Sequence, residues 1–258
     1  MNEKSILKAQ NLTKNYGSQV GCLGVDLEVY PSEILGLVGE SGSGKTTVLN
    51  LLSGRLKPDC GSVLYSMACG DQIDIHAISE AKRRAISRSE LGFVHQNPVN
   101  GLNLNVSAGA NIAERLLSGG ERSYHRARAK AIKWLEKVEI SASRLDEKPE
   151  NYSGGMRQRL QIAKNLVTEP KLVFLDEPTG GLDVSVQARL LDLLRRLQAD
   201  LGLSAILVTH DLGVARLLSQ RLMVMKDGRI IESGLTDRVL DDPQQPYTQL
   251  LVSSTLEV

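Results

Sequence analysis

Between an apolar run, Ile34–Val38, and a second run with helical spacing, Val48, Leu49, Leu51 and Leu52, lies Gly39-Glu40-Ser41-Gly42-Ser43-Gly44-Lys45-Thr46-Thr47. A strand must end and a helix begin inside this stretch, which commits the chain to an α/β arrangement. The glycines let the backbone curl until successive N–H groups face inward, and the following helix adds the partial positive charge of its N-terminus. Such a curl cradles phosphate. Lys45 then reaches the β- and γ-phosphates of a nucleoside triphosphate, and Thr46 offers a hydroxyl to Mg²⁺.

The remaining patterning agrees with that class. Short runs rich in β-branched and aliphatic residues, Ile6–Thr13, Val25–Val29 and Ser62–Tyr65, place much strand in the first third. From Leu172 onward, fully apolar runs (Leu172–Asp176, Ala205–Thr209, Leu222–Lys226) alternate with helical patterns, as in a parallel sheet. Leu190, Leu193, Leu194, Leu197 and Leu201 form one helical stripe that Gly202 terminates. Between the halves, Asn97–Glu150 reads mostly helical, with Ala131, Trp134, Leu135 and Val138 on one face, so residues 97–156 are expected to form a helical subdomain. Lys226-Asp227-Gly228-Arg229 reads as a hairpin turn.

Composition sets outer limits. At 258 residues with 41% apolar and 24% charged content, the chain suits one compact domain. Thirty-one Lys+Arg against 30 Asp+Glu leave a formal charge of +1, without the basic excess of a general nucleic-acid binder. Lys82-Arg83-Arg84 and Arg88 are offset by Glu80 and Glu90, so no nucleic-acid partner is expected. Apolar stretches are far shorter than the ~20 residues that cross a bilayer, and Met1-Asn2-Glu3-Lys4-Ser5 leads into no secretory segment. The expectation is a cytoplasmic protein without membrane insertion. Cys22, Cys60 and Cys69 have neither CxxC spacing nor a neighbouring His pair, which argues against disulfides and zinc.

A second site element is Leu172-Val173-Phe174-Leu175-Asp176-Glu177-Pro178, a strand that delivers two carboxylates at its C-terminal end, where open α/β sheets bind ligands. Neighbouring strand residues point different ways. Asp176 is placed for the Mg²⁺ shell, and Glu177 for a water attacking the γ-phosphate. Tyr152-Ser153-Gly154-Gly155-Met156 opens another helix and makes a second anion-binding helix start.

With these motifs in hand, the chain resembles the ATP-binding-cassette (ABC) ATPases over nearly its whole length. Their signature has the form LSGGQ; Tyr152 and Met156 depart from it, while Ser153, Gly154 and Gly155 match. The resemblance implies a P-loop NTPase core with a mixed, largely parallel sheet, an N-terminal antiparallel β subdomain and a helical subdomain, in a single nucleotide-binding domain over residues 1–258. It implies Tyr16 stacking on adenine, Gln96 reaching Mg²⁺ and the reaction centre beside Thr46 and Asp176, and Asp183 in the loop before a helix. His210 joins Glu177, Lys45 and Gln96 in catalysis. ATP binding then falls to Tyr16, Gly39–Thr47, Ser153, Gly154, Gly155 and Asp183, with Mg²⁺ as cofactor. The partner is a second ABC subunit, identical or paired, that closes head to tail on the ATP.

Phe93-Val94-His95-Gln96-Asn97-Pro98, Tyr152-Ser153-Gly154-Gly155-Met156, Val184-Ser185-Val186-Gln187-Ala188 and Gln245-Pro246-Tyr247-Thr248-Gln249-Leu250-Leu251 look like the peptide and nickel importer branch. Within it, Val106–Leu116, Ala163–Thr168 and Thr236–Pro243 are similar to the ATP-binding subunits of carbon-phosphorus lyase systems for phosphonate use. That finer resemblance implies a soluble partner, the carbon-phosphorus lyase core complex. The alternative is an ABC permease, contacted through the helical subdomain, with the chain peripheral at the inner membrane.

Overall fold

A computed structural model describes residues 4–255; Met1–Glu3, part of the stretch read for leader character, lie outside them. In chain order the elements are β1 (Leu7–Tyr16), β2 (Gln19–Val29), β3 (Ile34–Val38), α1 (Lys45–Leu52), β4 (Cys60–Ser66), β5 (Gln72–Asp74), α2 (Glu80–Ser89), β6 (Leu91–Val94), α3 (Ala108–Ser118), α4 (Tyr124–Lys137) and α5 (Gly154–Leu166). They continue with β7 (Leu172–Asp176), α6 (Val184–Leu201), β8 (Ala205–Thr209), α7 (Leu212–Leu218), β9 (Arg221–Lys226), β10 (Arg229–Leu235), α8 (Thr236–Asp241) and α9 (Pro246–Thr255).

Two sheets result. The antiparallel one runs β2-β1-β4-β5, and the mixed one runs β10-β9-β3-β8-β7-β6, parallel throughout except for the β9–β10 hairpin at its end. The expected α/β class and sheet types are therefore present. β1 and β2 outrun the expected Ile6–Thr13 and Val25–Val29, because Gly17, at φ 64°, turns one into the other and the pairing extends to Tyr16 and Gln19. That extension carries Tyr16 to the mouth of the site.

Strand alternation divides the interior. On β7, Leu172 and Phe174 face the core shared with the antiparallel sheet, whereas Val173 and Leu175 face a core shared with the helices. β8 repeats this, with Ile206 and Val208 on one side and Ala205 and Leu207 on the other. Burial on both faces is why these strands read as unbroken apolar runs. The helix-side core reaches Ala131, Trp134, Leu135 and Val138 on and after α4 and the buried stripe Leu190, Leu193, Leu194 and Leu197 on α6. Gly202 ends α6 at φ 59°, as its position predicted.

Asp183 occupies the residue before α6 and makes no capping hydrogen bond through its side chain. The stretch 97–150 is less helical than read: outside α3 and α4 it is turns and single 3₁₀ turns. All three cysteines are free, Cys22 buried and Cys60 and Cys69 exposed. No helix among the described residues is long and apolar enough to cross a membrane.

Candidate functional site

The glycine-rich run leaves β3 at the C-terminal edge of the parallel sheet and winds into α1. Gly39, Gly42 and Gly44 hold positive φ values of 148°, 81° and 101°. At Gly44 substitution is doubly excluded, because a Cβ would also sit 2.0 Å from the carbonyl oxygen of Gly21 on β2. Gly21 is equally confined, its own Cβ position lying 2.8 Å from the Tyr16 ring and 3.0 Å from Thr47 Cγ2. Tyr16, the β2 backbone and the loop thus line one open cavity of about 360 Å³, together with Lys45, Thr46, Gln96 and Glu177. Tyr16 stands 48% exposed at its mouth, a flat ring available for stacking.

Lys45 is buried and folds back on the loop. Its Nζ donates to the carbonyl oxygens of Gly39 at 2.8 Å and Glu40 at 2.6 Å, and to Ser43 Oγ at 3.3 Å. Burial lowers its pKa, against the opposing pull of Glu177, Asp176 and Glu40. The loop's first turn is held from far away in sequence, since the Glu40 N–H donates to Tyr247 Oη on α9 at 3.2 Å.

Asp176 and Glu177 take different partners, as adjacent residues at a strand end should. Thr46 Oγ1 donates to Asp176 Oδ1 at 3.2 Å, and burial raises the Asp176 pKa while this hydrogen bond opposes the shift. Glu177 has a left-handed backbone, φ 43°, which turns its carboxylate out of the strand. Its Oε2 accepts from Gln96 Nε2 at 3.0 Å, and its Oε1 lies 3.1 Å from His210 Nδ1. Two sequence-distant side chains therefore hold the two oxygens of one carboxylate beside the phosphate-loop cavity. Behind it, Arg55 donates to His95 Nε2 at 3.0 Å and lies 3.7 Å over the Phe93 ring. Burial, reinforced by Arg55, pushes the His95 pKa down to about 4.

Ser153, Gly154, Gly155 and Asp183 are not brought to this cavity. Ser153 caps α5, its Oγ accepting from the Met156 N–H at 3.3 Å, and Gly154 borders a separate cleft with Gln96, Gly181 and Leu182. Asp183 is exposed, next to Val184, which is 85% exposed. The two departures in the signature share one neighbour. Tyr152 is buried, donates its hydroxyl to the Arg144 carbonyl at 2.8 Å and lies under the Arg144 guanidinium, which also donates to Met156 Sδ at 3.2 Å. Sequence reasoning missed Gly21 and Tyr247 as parts of the site. Their contacts span the fold, and the only local sign was a glycine within the residues of β2.

A sequence model of the ABC transporter family matches residues 22–180. The chain is an ABC ATPase. It is 60% identical over 252 residues, 98% of both chains, to a protein of Escherichia coli (strain K12) named for phosphonates utilization and ATP binding, PhnK. A protein of Brucella melitensis biotype 1 named for peptide import and ATP binding is 40% identical over 237 residues, 89% of this chain and 70% of that one. Among solved structures, the dimeric post-hydrolysis state of the ATP-binding cassette MJ0796, bound to ADP and Pi, superposes with a TM-score of 0.78 at 29% identity, covering 89% of this chain and 98% of that one. As an ABC ATPase, the chain binds ATP and hydrolyses it to ADP and phosphate.

Proposed function

We propose that this ABC ATPase closes on ATP as a head-to-tail dimer, with a second copy or a paired ABC chain, and so drives conformational change in a carbon-phosphorus lyase core complex during phosphonate catabolism in the cytoplasm. The observation that carries the lyase reading is the 60% identity to PhnK across 98% of both chains. Head-to-tail closure is supported by the separation of the two anion-binding helix starts within one chain and by the dimeric form of the MJ0796 cassette.

In this reading Tyr16 stacks on the base, the amides of Gly39–Thr47 wrap the phosphates, and Lys45 exchanges its loop carbonyls for the β- and γ-phosphate oxygens. Ser153, Gly154, Gly155 and Asp183 serve the nucleotide held by the other chain. A water oxygen attacks the γ-phosphorus, the bond to the β–γ bridging oxygen breaks, and the water proton passes to the Glu177 carboxylate. Gln96 and His210 aim that carboxylate. Thr46, Asp176 and Gln96 would hold Mg²⁺. A hydroxyl, a carboxylate and a side-chain carbonyl are the hard oxygen donors this ion takes, and the Thr46–Asp176 hydrogen bond shows two of them converging. When bound, Mg²⁺ neutralises charge on the β- and γ-phosphates.

The deciding experiment tags the chain, introduces Glu177→Gln to prolong the ATP-bound state, and identifies co-purifying proteins from cells grown on a phosphonate as sole phosphorus source. Recovery of soluble carbon-phosphorus lyase subunits is the expected outcome. Stoichiometric recovery of a polytopic permease would instead support the importer reading, which the 40% identity to the peptide-import protein favours.

A further inference from the structure

β6 is the outermost strand of the six-stranded sheet, so its outer backbone groups have no neighbouring strand. Beside the Arg115 guanidinium at the Leu91 carbonyl, their partners are side-chain amides from α5. Asn165 Oδ1 accepts from the Phe93 N–H at 3.0 Å. Gln161 Oε1 accepts from the His95 N–H at 2.7 Å while its Nε2 donates back to the His95 carbonyl at 3.0 Å, and Gln158 Nε2 reaches the same carbonyl at 3.2 Å. A primary amide carries the donor and acceptor of a peptide group, and the two-bond exchange between Gln161 and His95 is the one an adjacent strand would make.

The spacing explains how a helix can do this. Gln158, Gln161 and Asn165 share one helical stripe, and Phe93 on the strand and His95 just past its end are alternate residues whose N–H groups point to the same side. All three amides are buried, a location where helices ordinarily place leucine. They are tied to each other through Gln161 Nε2 to Gln158 Oε1 at 3.1 Å and Asn165 Nδ2 to the Gln161 carbonyl at 2.9 Å. The half-buried Arg115 anchors the far end, donating to Asn165 Oδ1 and Thr168 Oγ1, both at 3.3 Å, and to the Ser87 and Leu91 carbonyls. Beyond the strand, Gly101 packs so closely that a Cβ there would lie 2.3 Å from Gln161 Oε1.

The residue that follows His95 is Gln96, hydrogen-bonded to Glu177, and the helix that supplies the amides is capped at its N-terminus by Ser153. We infer that Gln161 and Asn165 are positioning residues that register Gln96, and through it the Glu177 carboxylate, to the helix that Ser153 caps. A displacement of α5 is then carried to the Gln96 amide through buried hydrogen bonds. The inference rests on the roles given above to Gln96 and Glu177.

The test is a double-mutant cycle on the full chain, read as kcat at saturating ATP beside the Kd of a fluorescent ATP analogue. Gln161→Leu keeps the bulk and removes both hydrogen-bonding groups; we expect kcat to fall about tenfold with the Kd changed less than about threefold. In a Gln96→Ala background the same substitution is expected to cost less than about twofold, because the residue it acts through is gone. An equal loss in both backgrounds marks a purely structural residue and overturns the inference alone, as does unchanged kcat in folded Gln161→Leu. Unchanged kcat in Gln96→Ala by itself overturns the functional reading of Gln96 and the inference with it. Should Gln161→Leu fail to fold, Asn165→Leu, which removes the bonds to Phe93 and Arg115, is expected to lose about fivefold in kcat in the otherwise unchanged chain and less than about twofold in the Gln96→Ala background. Equal loss in the two backgrounds overturns the inference.

Discussion

Glu177 concentrates several demands on one residue. Its left-handed backbone costs on the order of 1 kcal/mol, and hydrogen bonds from its N–H to Val208 and from the Gly180 N–H to its carbonyl hold it there. Glu177→Gln keeps the size and a polar end but cannot take up a proton. Turnover should fall roughly 10²- to 10⁴-fold, and an ATP-bound dimer should accumulate on size-exclusion chromatography; near-normal turnover removes Glu177 from the proposed role. His95 makes a separate prediction about stability. Its folded pKa, about 4, lies below the ordinary 6.5, so the unfolded chain binds the extra proton between those values. Its contribution is complete above about pH 6.5 and is lost as pH falls toward 4. Urea unfolding at about pH 7 and about pH 5 should show wild type losing more stability than His95→Gln, by at most about 1.4 kcal/mol per pH unit, since one proton is involved. Equal slopes would contradict this. At this scale sequence reading went far: Tyr16, Lys45, Thr46, Gln96 and Glu177 were singled out and line one cavity, and Asp176 and His210, also singled out, lie within hydrogen-bond distance of Thr46 and Glu177 in its wall. Tyr247 escaped because nothing near it in sequence indicates that its hydroxyl ends at Glu40.

Elements differ in how much of their role is locally encoded. β3 and α1 were legible because turn chemistry, apolar run and helix start are contiguous. α5 was legible at its start, as an anion-binding helix start, but not along its buried face. Gln158, Gln161 and Asn165 look like polar surface residues until the strand edge they complete is known, so local pattern misplaces them. The start of α5 offers a sharper test through two neighbouring glycines. A Cβ on Gly155 would lie 2.4 Å from Val186 Cγ1 of α6, whereas one on Gly154 meets nothing closer than Leu182 Cδ2 at 3.8 Å. Gly155→Ala is expected to destabilise the isolated chain by roughly 1–3 kcal/mol, as overpacking does, and Gly154→Ala to leave it unchanged within error. Chemical denaturation of the nucleotide-free protein distinguishes them. Any ATPase defect in a fully stable Gly154→Ala then reports crowding against a second chain rather than misfolding of its own.

Across the whole molecule, the packing argues for one cooperative unit despite the helical insertion. Trp134 of α4 belongs to the same buried cluster as Val173, Leu175 and Leu207 of the central sheet. Trp134 is also the sole tryptophan, so its fluorescence reports on the helical part while far-ultraviolet circular dichroism reports on all of it. The two urea transitions should coincide; an earlier fluorescence midpoint would mean that the helical part melts independently. The order of strands has a further consequence. β3, which launches the phosphate loop, lies between β8 and β9, and the loop's first turn is tied to Tyr247. On the ribosome, those partners emerge long after the loop itself. A nascent chain halted before β8 therefore carries every residue of the glycine-rich run and still lacks the scaffold that shapes it, and the capacity to capture ATP waits on the synthesis of β8, β9 and α9.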